Sequence, residues 1–198
     1  MLRLNAYVAD DSATPAVDAV IAARFAGAPP AVTLVRTPLA MKGALVGFDA
    51  VAAVTRAPAS VEILADGAAV MPAGGKVFVS GQANKGRDLA DSVALTMERL
   101  HASIAHIGLA KSDVVQVKAF ITPFADHALA VAEVKKSFGG APVPPLVLIE
   151  WLSSSPAEIE LVASARTLER KPEDAAAFLG LPGMTSSPYY CRIATVAA

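Results

Sequence analysis

The sequence predicts an α+β fold built on a repeated order of elements. Three observations lead there. Apolar residues recur at a spacing of two in some segments and of three and four in others, which marks strands and helices in turn. A strand, helix, Gly-Ala-Pro, strand, strand order occurs twice. No stretch reaches the roughly 18 uninterrupted apolar residues that a membrane span needs.

The elements follow in order. Leu4 to Val8 reads as a strand, and Asp10-Asp11-Ser12 as a turn. Thr14 is a candidate N-cap with Pro15 at the first helical position, and Val17, Val20, Ile21 and Phe25 form one helical face up to Gly27. Pro29-Pro30 breaks the chain before strands at Ala31 to Arg36 and Ala44 to Val54. Short strands are expected at Val61 to Leu64 and Ala68 to Met71, and a clearer one at Lys76 to Gly81. The longest helix is carried by Leu89, Val93, Met97, Leu100, Ile104 and Ile107, with Gly108 as its stop. A strand at Asp113 to Thr122, a helix at about Ala125 to Phe138, and strands at Leu146 to Trp151 and Ala157 to Ala165 complete the second round. The segment 166–172 reads as a charged linker, Glu173 to Leu179 as a short helix, and Tyr189 to Val196 as a last strand.

The repeat has a fixed offset over its first part. Ala6, Phe25, Gly27, Ala28 and Pro29 match Ala119, Phe138, Gly140, Ala141 and Pro142, each 113 positions on. The second copy is preceded by a hairpin and a helix; in the sequence as given the first is not. The expected division is therefore the second half of one domain at 1–57, a complete domain at 58–166, and a linker with the opening strand of a further domain at 167–198.

Composition excludes several classes of function. The 198 residues carry a net charge of −1 and are 54% hydrophobic, with a sequence pI of about 6.3. A dedicated nucleic-acid binder carries a basic excess that is missing here. About a fifth of the residues are alanine, which raises the hydrophobic fraction while adding little burial per residue. The N-terminus lacks the long apolar core of a secretory signal. Cys191 is the only cysteine, so no intrachain disulfide forms, and a reducing, cytoplasmic setting is the default.

With the phrases VFVSGQ at 77–82, VVQVKAFI at 114–121 and EIELVASA at 158–165, the ordered elements resemble the RidA family, also called YjgF or endoribonuclease L-PSP-like. The resemblance spans 58–166 as a whole domain and 1–56 as half of one, so it is to a tandem-repeat member. It implies a chorismate-mutase-like fold, a mixed β-sheet with two helices on one face. It also implies trimers or pseudo-trimers with ligand clefts between neighbouring domains, and hydrolysis of reactive enamines and imines to ketoacids and ammonia. In that chemistry an arginine holds the substrate carboxylate, as a bidentate guanidinium does well. A backbone carbonyl and a positioned water act near a glutamate and a tyrosine.

Carried over position by position, the resemblance places Pro144 and Val32 where the arginine belongs. Loss of that anchor costs a carboxylate substrate about 1.5–3 kcal/mol of charged hydrogen bonding. The tyrosine position falls near Gly67, and its phrase survives only in the tail as Tyr189 after Pro188. Ser80 and Gly81 are retained, Gln82 joins them in the cleft wall, Glu160 takes the place of the late glutamate, and Asp49 sits at the matching place in the first copy. The candidate catalytic residues are thus Glu160 and Ser80, and the candidate ligand-binding residues Gly81, Gln82, Tyr189 and Asp49.

The loop Ser80 to Gly86 lacks the Gly-Lys-[Ser/Thr] ending of a phosphate-binding loop and reads as a polar turn. His101 and His106 lie five apart on a helix, so they do not share a face, and no metal site or cofactor is expected. His127 reads as a solvated or capping residue, and Trp151 as packing or interface. Glu158 and Glu160 share one face of their strand; this reads as an outer face in water, with paired carboxylates for acid–base work as the alternative. No Gly-x-Ser-x-Gly elbow occurs, and no basic, aromatic-interleaved stripe suits RNA.

Two functions follow. One is a RidA-like module that does not deaminate, binding a small metabolite or serving as a structural repeat. The other is an enamine or imine hydrolase acting at an inter-domain cleft. An arginine pointing into that cleft discriminates them, with Arg36, Arg87 and Arg192 as the candidates. A half-domain exposes a sheet edge and a helix face, so a homo-oligomer or further RidA-like domains are expected as partners, and neither nucleic acid nor membrane.

Overall fold

The computed structural model describes residues 1–56, 58–65, 68–164, 176–180 and 192–196. Its first unit comprises β1 (Arg3–Val8), a 3-10 turn at Asp11–Ala13, α1 (Thr14–Phe25), β2 (Ala31–Arg36) and β3 (Val46–Val51). These strands form a sheet of order β2-β1-β3, with β2 parallel and β3 antiparallel to β1. A small hairpin follows, in which β4 (Glu62–Ile63) pairs with β5 (Ala69–Val70).

The second unit contains β6 (Lys76–Gln82), α2 (Leu89–His106), β7 (Val114–Ile121), α3 (His127–Ser137), β8 (Leu146–Glu150) and β9 (Ala157–Ser164). Its sheet runs β10-β11-β6-β9-β7-β8, with β10 (Ala176–Gly180) and β11 (Arg192–Val196) added beyond β6. Around β7 the arrangement is that found around β1: β8 is parallel and β9 antiparallel to it. The 3-10 turn at Phe124–Asp126 stands 113 positions after that at Asp11–Ala13. The α+β class is therefore present, as a mixed sheet with two helices on one face and a partial second version of the same topology.

Local chemistry explains the helices. Asp88 caps α2 by accepting from the Asp91 backbone N–H, at 2.8 Å. Leu89, Val93, Met97, Leu100 and Ile104 then form its buried stripe, from 0 to 6% exposed. The turn ends at Gly108, with φ of +80°, and Gly139 and Gly140 end α3 with φ of +61° and +88°. Only glycine adopts that left-handed backbone without penalty. In α1 the capping lies earlier than the sequence suggests. Asp10 accepts from Ser12 N at 2.9 Å and starts the 3-10 turn, so Thr14 is already helical. Of the helix expected at 173–179, the described part, 176–179, lies instead in strand β10. Pairing with β11 and packing of Ala176 and Phe178 against Leu2 and Phe78 outweigh the helix propensity of an alanine run.

Side chains alternate between the two faces along the central strands, and this builds four layers. Ala6, Val8 and Val32 face α1, while Val77, Val117, Ile159 and Leu161 face α2 and α3. The other faces of the two sheets meet each other. Leu2, Ala31, Phe78, Val162 and Ala194 form one apolar patch between them, and Val35, Phe120 and Trp151 another. A polar cluster lies in the same layer.

Candidate functional site

Polar residues at alternate positions supply that cluster. Arg3, Asn5 and Tyr7 project from β1 opposite Val51, Asp49 and Gly47 of β3. Lys118 of β7 stands opposite Glu160 of β9. Asn5 and Lys118 are 113 positions apart, so the ladder makes Asp49 the counterpart of Glu160.

The two units are cross-linked here. Glu160 is 1% exposed, and both its oxygens are engaged by the first unit. Asn5 Nδ2 donates to Oε1 at 2.9 Å and Thr33 Oγ1 donates to Oε2 at 2.8 Å. Lys118 Nζ lies 3.3 Å and Arg3 Nη1 3.5 Å from Oε1. Lys118 also donates to Asp49 Oδ2 at 3.3 Å, and Arg3 Nη2 is 3.7 Å from Asp49 Oδ1. Tyr7 donates its phenol proton to Asp49 Oδ2 and accepts from Lys118. Two cations thus balance two carboxylates in a largely buried layer, as burial of charge requires.

The titrations follow from this setting. Burial lowers the Lys118 pKa, but Glu160, Tyr7 and Asp49 more than offset it, so the net shift is upward. Burial, and then the hydrogen bond to Asp49, raises the Tyr7 pKa. Glu158 shares its strand face with Glu160. Burial, and secondarily the Glu160 charge, push its pKa up to about 8.

Gly81 explains how Glu158 is held. A Cβ at Gly81 would lie 2.0 Å from Glu158 Oε1 and 2.8 Å from Thr33 Cγ2, so only a glycine lets the carboxyl and the neighbouring strand approach. Its N–H donates to Thr33 Oγ1 at 2.7 Å, joining β6 to the Thr33–Glu160 bond. Here β6 carries an irregularity between Val79 and Gln82 against β9. Gln82 is 2% exposed, and neither its amide oxygen nor its nitrogen has a hydrogen-bond partner. Ser80 is fully buried.

Of the residues expected from sequence, Glu160 and Asp49 meet through Lys118 and Arg3, and Gly81 reaches them through Thr33. Ser80 and Gln82 lie alongside on β6. Tyr189 and Cys191 lie outside the described residues. Arg36 pairs with Asp11 at 2.8 Å, at the rim of a cleft with Trp151 and Ser154. Arg87 is on the surface with Asp91, and the side chain of Arg192 is outside what is described. Among the described side chains, the arginine in the layer is Arg3, which sequence reasoning missed together with Asn5, Tyr7, Thr33 and Lys118. The signal was the polar alternation Arg3-x-Asn5-x-Tyr7 and a lone lysine inside an apolar strand.

Two clefts open at the ends of the layer. One, of about 340 Å³, is lined by Leu2, Val51, Arg56, Met71 and Phe78. The other, of about 600 Å³, is that of Arg36 and Trp151. Neither is lined by Glu160, Gly81 or Asp49. On the far side, His101 of α2 lies against Phe138, its ring 5.1 Å away edge-on. Burial, and then Lys111, lower its pKa to about 4.

No family model matches the sequence, and no curated protein matches it. Solved structures are similar over about half of the chain. Rv2704 of Mycobacterium tuberculosis, a member of the YjgF/YER057c/UK114 family, is 22% identical over 46% of this chain and 80% of that one, with a TM-score of 0.43. TdcF of E. coli, solved with bound serine, is 25% identical over 56% and 94%, also at 0.43. NMB1025 of Neisseria meningitidis, a YjgF-family protein, is 20% identical over 49% and 82%, at 0.41. The chain is thus similar to RidA-like structures over that half. Among the described residues no helix is long and apolar enough to cross a membrane.

Proposed function

We propose that this chain is a RidA-type module that does not deaminate, and that the layer between its units is a structural joint. The observation that carries the reading is the state of Glu160. Its carboxylate accepts from Asn5 and Thr33 of the other unit and faces Lys118 and Arg3, and at 1% exposure it is spent on the joint rather than offered to a water as a general base. The arginine positions of the family phrase are filled by Val32, buried against α1, and by Pro144. Small metabolites have the two end clefts as their openings. The reading keeps a division of the chain near 57 and near 166, and places the protein in the cytoplasm, where a lone cysteine stays reduced.

One observation favours the second reading, an enamine or imine hydrolase. Arg3 puts a guanidinium into the layer, with Nε unpartnered. Against it, the charge of Arg3 already faces Asp49 and Glu160. The deciding experiment generates an imine with an amino-acid oxidase and traps it with semicarbazide. The joint reading expects trapped product at the level seen without the protein. A protein-dependent loss that disappears in Arg3→Met overturns it in favour of the hydrolase.

A further inference from the structure

The Trp151 end of the layer closes beside a carboxyl that has no cation of its own. Glu158 stands opposite Phe120 of β7, and Phe120 packs with Val35 of the first unit and Trp151 of the second. The elements around Glu158 bring five ionisable groups into the layer. These are Glu160 on its own strand, Lys118 on β7, Arg3 and Tyr7 on β1, and Asp49 on β3. Both cations are engaged by Glu160 and Asp49. Strands β2 and β6 set Thr33 and Gly81 against the Glu158 carboxyl, and β8 sets Ile149 beside Phe120, so none of these brings a charge. Arg36 at the end of β2 is paired with Asp11, and Glu150 at the end of β8 is exposed. The charge that acts on Glu158 is that of Glu160. An ionised Glu158 therefore makes a third carboxylate against two cations, and water between the sheets relieves that charge. A protonated Glu158 leaves the layer balanced.

We propose, on the reading of the layer as a joint, that Glu158 is a proton-operated gate on the cleft of Arg36 and Trp151. Protonated, it lets the end of β2 close on the end of β8. Ionised, it draws water between them and widens the cleft to small solutes. The contacts that give way are the Val35–Phe120–Trp151 patch and the bond from Leu152 N to Arg36 O, at 2.8 Å. The patch at the other end, Leu2, Ala31, Phe78, Val162 and Ala194, is apolar throughout and stays closed, so the units tilt at one end and do not part. Glu158 as a residue is partly exposed, which gives its proton a way to solvent. Burial and Glu160 set its pKa at about 8, just above neutrality. The neighbours do not titrate with it: the pKa values of Lys118 and Tyr7 are raised above their ordinary alkaline range, and that of His101, on the far side, is about 4.

Trp151 is the only tryptophan, so tryptophan fluorescence of the full chain reports this cleft. Acrylamide, a small neutral quencher, is the probe. Between about pH 6.5 and about pH 9 the quenching constant rises several-fold, with its midpoint near about 8, while the far-UV circular dichroism stays constant. Glu158→Gln holds the constant low throughout. Glu150→Gln, next to Trp151 at the exposed end of β8, keeps the wild-type rise. Hydrogen exchange of the wild type, corrected for the intrinsic rate at each pH, requires no variant. The Leu152 amide loses protection across this range and the amides of α2 keep theirs. A constant that is low and flat with pH, a rise that survives Glu158→Gln, or loss of α2 protection in step with Leu152 overturns the gate and leaves the joint standing. Quenching already high at about pH 6.5 shows a layer that is not closed, and overturns the joint reading together with the gate.

Discussion

Glu158 is the residue whose surroundings most alter its chemistry. Its carboxyl lies on Gly81 beside Thr33, two positions along the strand from a carboxylate that is fully paired. A carboxyl whose pKa is raised by folding, here from 4.5 to about 8, binds a proton in the native state that the unfolded state has released. Stability from this group is complete below pH 4.5 and is lost as pH rises to about 8. His101 acts oppositely at lower pH. Its pKa falls from 6.5 to about 4, so its contribution is lost as pH drops through that window. Between about 6.5 and 8 the slope belongs to Glu158, and chemical denaturation across this range should show stability declining. Glu158→Gln should flatten the slope. Gly81→Ala should cost about 1–3 kcal/mol through overpacking, and Glu158→Ala in the same chain should recover part of it, measured as a double-mutant cycle.

Among the elements, α2 was legible because its apolar stripe, acidic cap and glycine stop agree with one another and with the burial the tertiary structure gives them. Met97→Ala, at a fully buried position in that stripe, should cost about 2–5 kcal/mol in denaturant melts. Strand β10 was not legible, because nothing local to an alanine-rich segment reports the strand it pairs with across the fold. The site shows the same divide. Glu160, Asp49 and Gly81 were visible as positions in a phrase. Arg3, Asn5 and Thr33 were not, because their role depends on one sheet lying against another, and polar alternation on a strand ordinarily marks a solvated face. Burial of that face is a tertiary fact, and beside that alternation only Lys118, in a largely apolar run, hinted at it in the sequence.

For the whole molecule, the layer between the sheets combines apolar patches at both ends with charge at the centre. Shared burial of this kind couples the two units, so calorimetry should show one unfolding transition. Lys118→Met leaves two carboxylates facing Arg3 alone, and should lower stability by about 3–5 kcal/mol. If the joint is what couples the units, the same variant should split the transition in two.

The ladder positions of the two cations carry a further consequence. Arg3 corresponds to Gln116, Asn5 to Lys118, and Tyr7 to Phe120, so each copy contributes one positive group, at a different rung. Opposed as they are, the copies interleave their charges. Two first copies opposed in the same way would bring arginine against arginine with no lysine between the carboxylates, and two second copies would double the lysine. The two opposed faces are therefore complementary to each other and neither is complementary to itself, which favours their meeting within one polypeptide.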